Sequence, residues 1–316
     1  MKVSRRLIDI TGMRDIVQRR IAVLSADSKV PGPVIWLTAC IHGDEVGGTA
    51  VVHDVFSALR KSGLTRGAVH AFPLVNSMGF ENVSRYINTD REDLNRCFPG
   101  DARGSMGERL ARRLFDAIMK TSPDLVIDIH NDWVRSIPYV LLDSAESYRS
   151  NHLQKQVRKM ARATQLLLVE DSDVFHSLRN SLAGASVGEG IPSFTIEAGG
   201  AFSIVEESVS SGMAAILSVL TFMKMIDWWK PPLVQTSLSG PLMYTSTPLC
   251  TSSGLIRFSV SPGQAIKKDQ VLARVYSAFG SDEESLRATG GGIVLGLEDH
   301  ARVLPGREVI AIAERS

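Results

Sequence analysis

The stretch "IWLTACIHGDEVGG" (residues 35–48) joins a run of apolar residues to a histidine, two acids and a pair of glycines. A continuous apolar run of this length is typical of a strand in a sheet that is covered on both faces. His42 and Glu45 follow the run with the spacing His-x-x-Glu, so both side chains could reach one point in space. Imidazole and carboxylate are good zinc ligands. The alternative is an ordinary acidic, glycine-rich loop between a strand and a helix, because this spacing also arises by chance.

Similar apolar runs alternate with helical patterns along the first two thirds of the chain. We predict strands at 33–39, 68–75, 124–130, 139–143, 165–170 and 192–200, and helices at 45–63 and 105–120. Ser105 and Glu108 have the spacing of a capping box, which marks the start of the second helix. Strands that alternate with helices predict an α/β layered fold.

The pattern changes after Pro231 and Pro232, which end a long helix that begins near Ile204. Short strands punctuated by glycine and proline follow, and two of them come after Pro-Gly pairs that favour type II turns. We therefore predict two domains, an α/β domain at residues 1–232 and a small all-β domain at residues 233–316.

The composition is that of an ordinary globular protein. The 316 residues are 44% hydrophobic and 22% charged, and the net charge of +1 gives no reason to expect nucleic acid or a membrane as a partner. Cys40, Cys97 and Cys250 are isolated and odd in number, which fits a reducing compartment. The N-terminus has no apolar signal segment, and the most apolar helical run, 213–229, is too short and too charged to span a membrane. We expect a cytoplasmic protein, and the sequence leaves a homo-oligomer open.

A third metal ligand is offered by "LVIDIHND" (125–132), where His130 ends another strongly apolar run. Ligands gather outside the carboxyl ends of the strands in open α/β sheets, so His42 and His130 can converge there. Asp128 lies two residues before His130 and could face the same side of the strand. It could therefore accept a hydrogen bond from an imidazole N–H of a metal ligand.

Two further segments carry candidates for catalysis and substrate binding. Glu197 ends the apolar run of "FTIEAGG" (194–200), where a carboxylate beside zinc could take a proton from the attacking water and pass it to a leaving amine. The segment 84–100 is rich in arginine, aspartate and asparagine. A guanidinium can bind a carboxylate or polarise a carbonyl, and the candidates there are Arg85 and Arg96, with Asn95 beside them.

Four motifs in this order, "HGDE", "RYIN…DLNRCFPG", "DIHN" and "EAGG", resemble those of the succinylglutamate desuccinylase and aspartoacylase family. The resemblance covers about residues 30–230. It implies a zinc amidohydrolase with a carboxypeptidase-like fold: a three-layer α/β/α domain with a mixed, largely parallel sheet. The region after it is similar to the C-terminal β domain of this family, whose shape is similar to that of biotinyl and lipoyl modules.

The resemblance also implies a role for each motif residue. One zinc ion per chain would be held by His42, Glu45 and His130. Glu197 would be the general base and acid, and Arg85 would polarise the scissile carbonyl. Asn95 and Arg96 would hold the α-carboxylate of an N-acyl amino acid substrate.

The chain departs from the family pattern at two places. The segment between Arg85 and "DLNR" is longer than in aspartoacylase, so Arg91 competes for the role of Arg85. In the segment 170–190, Arg179 is the available arginine for a carboxylate on the acyl side, and nothing in its setting marks it. The resemblance therefore implies the reaction and not the particular acyl group or amine.

Two other classes of function stay open beside the deacylase. A metallocarboxypeptidase acting on peptides would use the same ligands in a more open groove. A non-catalytic carrier or binding module would centre on the C-terminal domain, and an inactive protein that only binds zinc would keep the three ligands. A carrier needs a lysine at a hairpin tip, and the segment 276–290 contains none.

Overall fold

The computed structural model describes residues 1–10, 19–87, 91–171, 176–232, 242–280, 283–298 and 301–314. The strands of the first region are β1 (Val3–Asp9), β2 (Arg20–Asp27), β3 (Val34–Ala39), β4 (Ala68–Phe72), β5 (Leu125–His130), β6 (Arg135–Ser136), β7 (Pro138–Leu142), β8 (Leu167–Glu170) and β9 (Ser193–Ala198). The α-helices are α1 (Gly47–Ser62), α2 (Ser77–Glu81), α3 (Met106–Met119), α4 (Asn151–Arg162), α5 (Leu182–Gly188) and α6 (Glu206–Phe222). Short 3₁₀ helices lie at Leu94–Arg96, Ala145–Ser147 and His176–Asn180.

The centre of the sheet is parallel, with the strand order β4-β3-β5-β9. The strands β1 and β2 form an antiparallel hairpin that adds to β4 at one side. On the other side β7 runs antiparallel to β9, and β8 runs parallel to β7. The predicted mixed, largely parallel sheet is confirmed.

Helices cover both faces of this sheet. On β3, Ile35 and Leu37 pack into a buried cluster with side chains of α1, α4 and α6, whereas Trp36 packs on the other face with side chains of α3 and α5. Alternate residues of one strand thus enter two cores, which explains why the strand is apolar throughout. The predicted three-layer α/β/α architecture is confirmed.

The other local predictions of the first region agree with the structure, except that the helix predicted to run from near Ile204 to Pro231 ends earlier, at Phe222. The six predicted strands correspond to β3, β4, β5, β7, β8 and β9, and the two predicted helices to α1 and α3. Both hydrogen bonds of the Ser105–Glu108 capping box are present. Gly63 follows α1 with φ of 83°, a conformation that favours glycine at the end of a helix.

The remaining strands are β10 (Leu242–Thr245), β11 (Gly254–Phe258), β12 (Ala265–Ile266), β13 (Val271–Tyr276), β14 (Glu283–Arg287), β15 (Gly292–Leu297), β16 (Arg302–Val303) and β17 (Ile310–Glu314). Four of these strands continue the large sheet, because β10 pairs in parallel with β8 and is followed by β17, β15 and β12. The other four form a separate antiparallel sheet in the order β14-β13-β11-β16. The boundary predicted at residue 233 lies outside the described residues. No helix among the described residues is long and apolar enough to cross a membrane.

Candidate metal centre

The loop after β3 delivers His42 and Glu45 to the carboxyl edge of the sheet. At Gly43 the chain passes so close to α2 that a Cβ atom would lie 1.9 Å from the backbone carbon of Gly79. At Gly47, where α1 begins, a Cβ atom would lie 2.6 Å from the side chain of Asn131. Only glycine fits these two close approaches, so "HGDEVGG" is built for packing as well as for chemistry.

Three buried side chains meet at this edge, as the sequence predicts. The Nδ1 atom of His42 lies 2.5 Å from Oε1 of Glu45, and the Nδ1 atom of His130 lies 2.6 Å from Oε2 of the same carboxylate. The two Nδ1 atoms are 3.2 Å apart. Two imidazole nitrogens and a carboxylate around one point form a donor set that fits zinc with three protein ligands.

The outer nitrogens of both imidazoles face carboxylates. The Nε2 atom of His130 lies 2.8 Å from Asp128, and the Nε2 atom of His42 lies 3.1 Å from Asp93. Such a carboxylate fixes the ring and favours the tautomer in which Nδ1 offers its lone pair to a metal. Asp128 is itself held by Thr38, whose hydroxyl donates to it over 2.5 Å. The role predicted for Asp128 agrees with this geometry, whereas that of Asp93 was missed by the sequence reasoning.

Glu197 lies beside the ligand cluster. It is on β9, directly opposite His130 in the parallel register of β5 and β9. Its Oε2 atom is buried and has no hydrogen-bond partner among the described residues. Burial and the nearby carboxylate of Asp132 raise the pKa of Glu197 well above its ordinary value. A carboxyl group in this setting is suited to accept a proton and to return it.

Arg85 also lies beside the ligand cluster. Its Nη1 atom lies 3.2 Å from Nδ1 of His42 and 3.5 Å from Oε1 of Glu45. Its Nε and Nη2 atoms donate to Asp93 over 3.1 and 2.9 Å, so Asp93 orients both the arginine and His42. The competing Arg91 is exposed, and it is not among the residues that line the cavity.

The "DLNR" motif forms the next part of the wall. Asn95 is buried, with its Nδ2 atom 3.3 Å from Nε2 of His130, and its side-chain oxygen accepts the backbone N–H of Leu182. Arg96 donates to the carbonyl of Asn95 and lines the cavity. Arg179 is exposed, lies 3.5 Å from Glu146 and does not line the cavity.

One cavity of about 280 Å³ is lined by His42, Glu45, Arg85, Asn95, Arg96, His130 and Glu197. This volume is just below the ~300–1,000 Å³ typical of ligand pockets, so it suits a small molecule. Its remaining wall includes Trp133, Tyr139, Leu141, Asp143, Asp171, Thr195, Tyr244 and Glu308. Tyr244 and Glu308 come from the C-terminal region, and the hydroxyl of Tyr244 accepts a hydrogen bond from the indole N–H of Trp133 over 3.3 Å. None of these wall residues was singled out by the sequence reasoning, since none belongs to a recognisable motif.

Comparison with known proteins supports the motif-based resemblance. The family model of the succinylglutamate desuccinylase/aspartoacylase catalytic domain matches residues 31–223. N-alpha-acetyl-L-2,4-diaminobutyric acid deacetylase of Halomonas elongata is 25% identical over 294 residues, which are 90% of this chain and 82% of that protein.

Solved structures show the same fold. The crystal structure of a succinylglutamate desuccinylase/aspartoacylase from Rhodobacter sphaeroides superposes with a TM-score of 0.84 at 23% identity, covering 99% of this chain and 96% of that one. A metallo-carboxypeptidase from Burkholderia cenocepacia superposes with a TM-score of 0.54 at 20% identity, over 69% of this chain and 64% of that one. The fold is therefore carboxypeptidase-like, and, since the family model matches more than half of its length, the chain belongs to the succinylglutamate desuccinylase/aspartoacylase family.

Proposed function

We propose that this protein is a zinc-dependent deacylase that hydrolyses an N-acyl amino acid or a related small amide. One observation carries the proposal: the Nδ1 atoms of His42 and His130 and the carboxylate of Glu45 converge beside the unpartnered oxygen of Glu197, in the wall of one cavity. A zinc ion held by these three ligands would supply a Lewis acid that polarises the substrate carbonyl and activates water.

The chain's own residues divide the remaining work. Glu197 takes a proton from the attacking water and later delivers it to the nitrogen of the leaving amine. Arg85 donates hydrogen bonds to the carbonyl oxygen as negative charge develops on it. Asp93 holds Arg85 in place for this role before the substrate arrives, so little reorganisation is needed at the moment of reaction.

The amino-acid part of the substrate lies further along the same cavity. Arg96 lines the cavity and offers a fork that matches the geometry of an α-carboxylate. Asn95 supports this wall, since it carries the backbone carbonyl that accepts a hydrogen bond from Arg96. The Halomonas elongata relative is named as a deacetylase of an N-acetyl amino acid, which is the same class of substrate.

The C-terminal region limits the size of the substrate. We propose that residues 233–316 form a domain whose function is to close the cavity, because Tyr244 and Glu308 line it. A peptide would need an open groove, so the small cavity favours a deacylase over a carboxypeptidase. A non-catalytic zinc module is disfavoured because it has no need of a buried, unpartnered carboxylate such as Glu197 beside the ligands.

The test is an amine-release assay on zinc-loaded protein with a panel of N-acetyl, N-succinyl and N-formyl amino acids and a few dipeptides. We expect release from acyl amino acids that a chelator abolishes and added zinc restores. Release from dipeptides in preference to acyl amino acids would replace the deacylase by a carboxypeptidase. If the protein binds zinc stoichiometrically and releases no amine from any substrate of the panel, the proposal for small acyl amino acids is overturned.

A further inference from the structure

The cavity continues away from the metal centre along one face of the sheet. In the antiparallel pair of β7 and β9, Tyr139 lies opposite Glu197 and Leu141 lies opposite Thr195. All four side chains line the cavity, as expected for alternate residues of two paired strands. Asp143 directly follows β7 and is the next residue on this face. It lies four residues beyond Tyr139, which places it roughly 13 Å further along the strand direction.

Two acids close this far end of the cavity. Because β7 and β8 are parallel, with Leu142 paired to Glu170, Asp171 follows beside Asp143. The backbone N–H of Asp171 donates to the carbonyl of Leu142 over 2.9 Å, which fixes this arrangement. Asp143 is 6% exposed and Asp171 is 4% exposed, yet both line the cavity.

The carboxylate of Asp143 is the unusual group of this pair. Asp143 is buried, and among the described residues no other side chain hydrogen-bonds to it or forms an ion pair with it. The described part of the chain therefore supplies no partner that would compensate its burial. Burial and the like charge of Asp171 raise the pKa of Asp143 to about 7. A buried carboxylate in this position is expensive unless it is paired, and a cavity that reaches it lets the partner come from a ligand.

The charges along the cavity follow an order. Arg85 lies at the metal centre, and Asp143 and Asp171 line the far end. Arg96 is close enough to both Asp93 and Asp171 for their charges to interact with its guanidinium. Along the paired strands β7 and β9, Leu141 and Thr195 lie between Glu197 and Asp143 and form a less polar stretch of wall. A ligand that matches this order carries its carboxylate near the arginines, a short aliphatic chain in the middle and a cation at the far end.

We propose that Asp143 and Asp171 bind a protonated amine of the substrate, so that this deacylase acts on diamino acids acylated on one of their two nitrogens. The inference rests on the proposed function and adds the recognition of a cation to it. The same two acids would repel a substrate with an anionic group at this end, such as an acylated acidic amino acid. A diamino acid acylated on its α-nitrogen matches this order, because its carboxylate and its side-chain ammonium are separated by a short aliphatic chain. Acylation of the side-chain nitrogen instead leaves the free ammonium on the carbon that bears the carboxylate.

The experiment compares kcat/KM of the zinc-loaded enzyme for three kinds of substrate. The cationic set is Nα-acetyl and side-chain-acetyl 2,4-diaminobutyrate and ornithine, the neutral set is N-acetyl norvaline and N-acetyl glutamine, and the anionic probe is N-acetyl glutamate. The variants are Asp143→Asn and Asp171→Asn, which keep the side-chain shape. Glu189→Gln is the matched control, because it removes a carboxylate that is exposed and outside the cavity.

We expect the wild-type enzyme and Glu189→Gln to prefer the Nα-acetyl cationic substrates, whose free ammonium is on the side chain. A preference for the side-chain-acetyl substrates, whose ammonium lies beside the carboxylate, would contradict the charge order of the cavity. Each cavity variant should lower the cationic-to-neutral ratio of kcat/KM by about tenfold to hundredfold, as for the loss of a hydrogen bond between charged groups. Equal use of cationic and neutral substrates by the wild-type enzyme, or an unchanged ratio in both variants, overturns the subsite and leaves the deacylase standing.

If the protein turns over none of these substrates, a binding measurement still tests the cation subsite. Titration calorimetry with free 2,4-diaminobutyrate and ornithine, which contain the same ammonium, does not depend on catalysis. Binding that both cavity variants weaken and Glu189→Gln does not would support the subsite even if the deacylase proposal fails. Equal binding of ornithine and norvaline to the wild-type protein, or no binding of either, would overturn the subsite.

Discussion

Replacing Asp143 by asparagine should stabilise the protein, and the gain should grow with pH. Burial and the like charge of Asp171 raise the pKa of Asp143 from 3.8 to about 7 in the folded protein. Between these two pKa values, the carboxyl group of Asp143 is protonated in the folded state and ionised in the unfolded state. Stability is lost progressively as pH rises from about 3.8 to about 7, and above that range the whole penalty is present.

The size of the effect follows from this shift. A difference of roughly 3 pKa units corresponds to about 4 kcal/mol at 1.36 kcal/mol per unit, which is an upper bound for the penalty at about pH 8. At about pH 5 the same two pKa values give only about 1.7 kcal/mol. Asparagine has no charge to lose, so the stability difference between Asp143→Asn and wild type should increase by about 2–3 kcal/mol between these two pH values.

Urea denaturation of both proteins at about pH 5 and about pH 8, with equal zinc content, measures this difference. Glu189→Gln serves as the control, because its carboxylate is exposed and lies outside the cavity. If the curves of wild type and Asp143→Asn shift in parallel between the two pH values, Asp143 is not a destabilised carboxylate. The charge penalty assigned to the far end of the cavity would then be wrong.

Four further substitutions test the metal centre. Glu197→Gln should retain zinc and lower kcat by about 10²–10⁴-fold, and a near-wild-type rate would place the proton shuttle elsewhere. His42→Ala should lose zinc and activity together, which metal analysis after dialysis would show; full zinc occupancy would refute the ligand set. Asp128→Asn should weaken zinc binding about 10–100-fold in a competition with a chelating dye, whereas unchanged affinity would deny it the orienting role. Arg96→Ala should raise KM for acyl amino acids more than for analogues whose α-carboxylate is replaced by a neutral amide. An equal rise in KM for both would show that Arg96 does not bind the α-carboxylate.

The metal centre could be predicted from sequence because its parts lie at the ends of parallel strands. His42 follows β3, and His130 and Glu197 lie at the end of β5 and β9, so each follows or ends an apolar run that local patterns identify. Such ends meet at one edge of a sheet whatever the order of the strands. Four ordered motifs added the expected roles, and the geometry brought their residues together.

Other parts could not be predicted, for identifiable reasons. The strand β1 is largely exposed, and its "VSRRLID" carries too many charges for the apolar pattern that marks the central strands. The contribution of Tyr244 depends on the parallel pairing of β10 with β8, which joins residues far apart in the chain. Asp143 ends "YVLLD", and only the antiparallel direction of β7 relative to β9 places it at the far end of the cavity rather than at the metal edge.

This direction of β7 separates two tasks on one strand. Near its start, Tyr139 lies opposite Glu197 beside the metal centre. Directly after its end, Asp143 lies beside Asp171 at the far end of the cavity. The far end is therefore separate from the metal ligands, which lie in the loop after β3 and at the end of β5. If Asp143 binds the cation of the substrate, one carboxylate causes both the loss of folding stability and the preference for cationic substrates. Asp143→Asn should then gain stability and lose cationic preference together; a variant that gains stability and keeps its preference would show that the buried acid has no part in recognition.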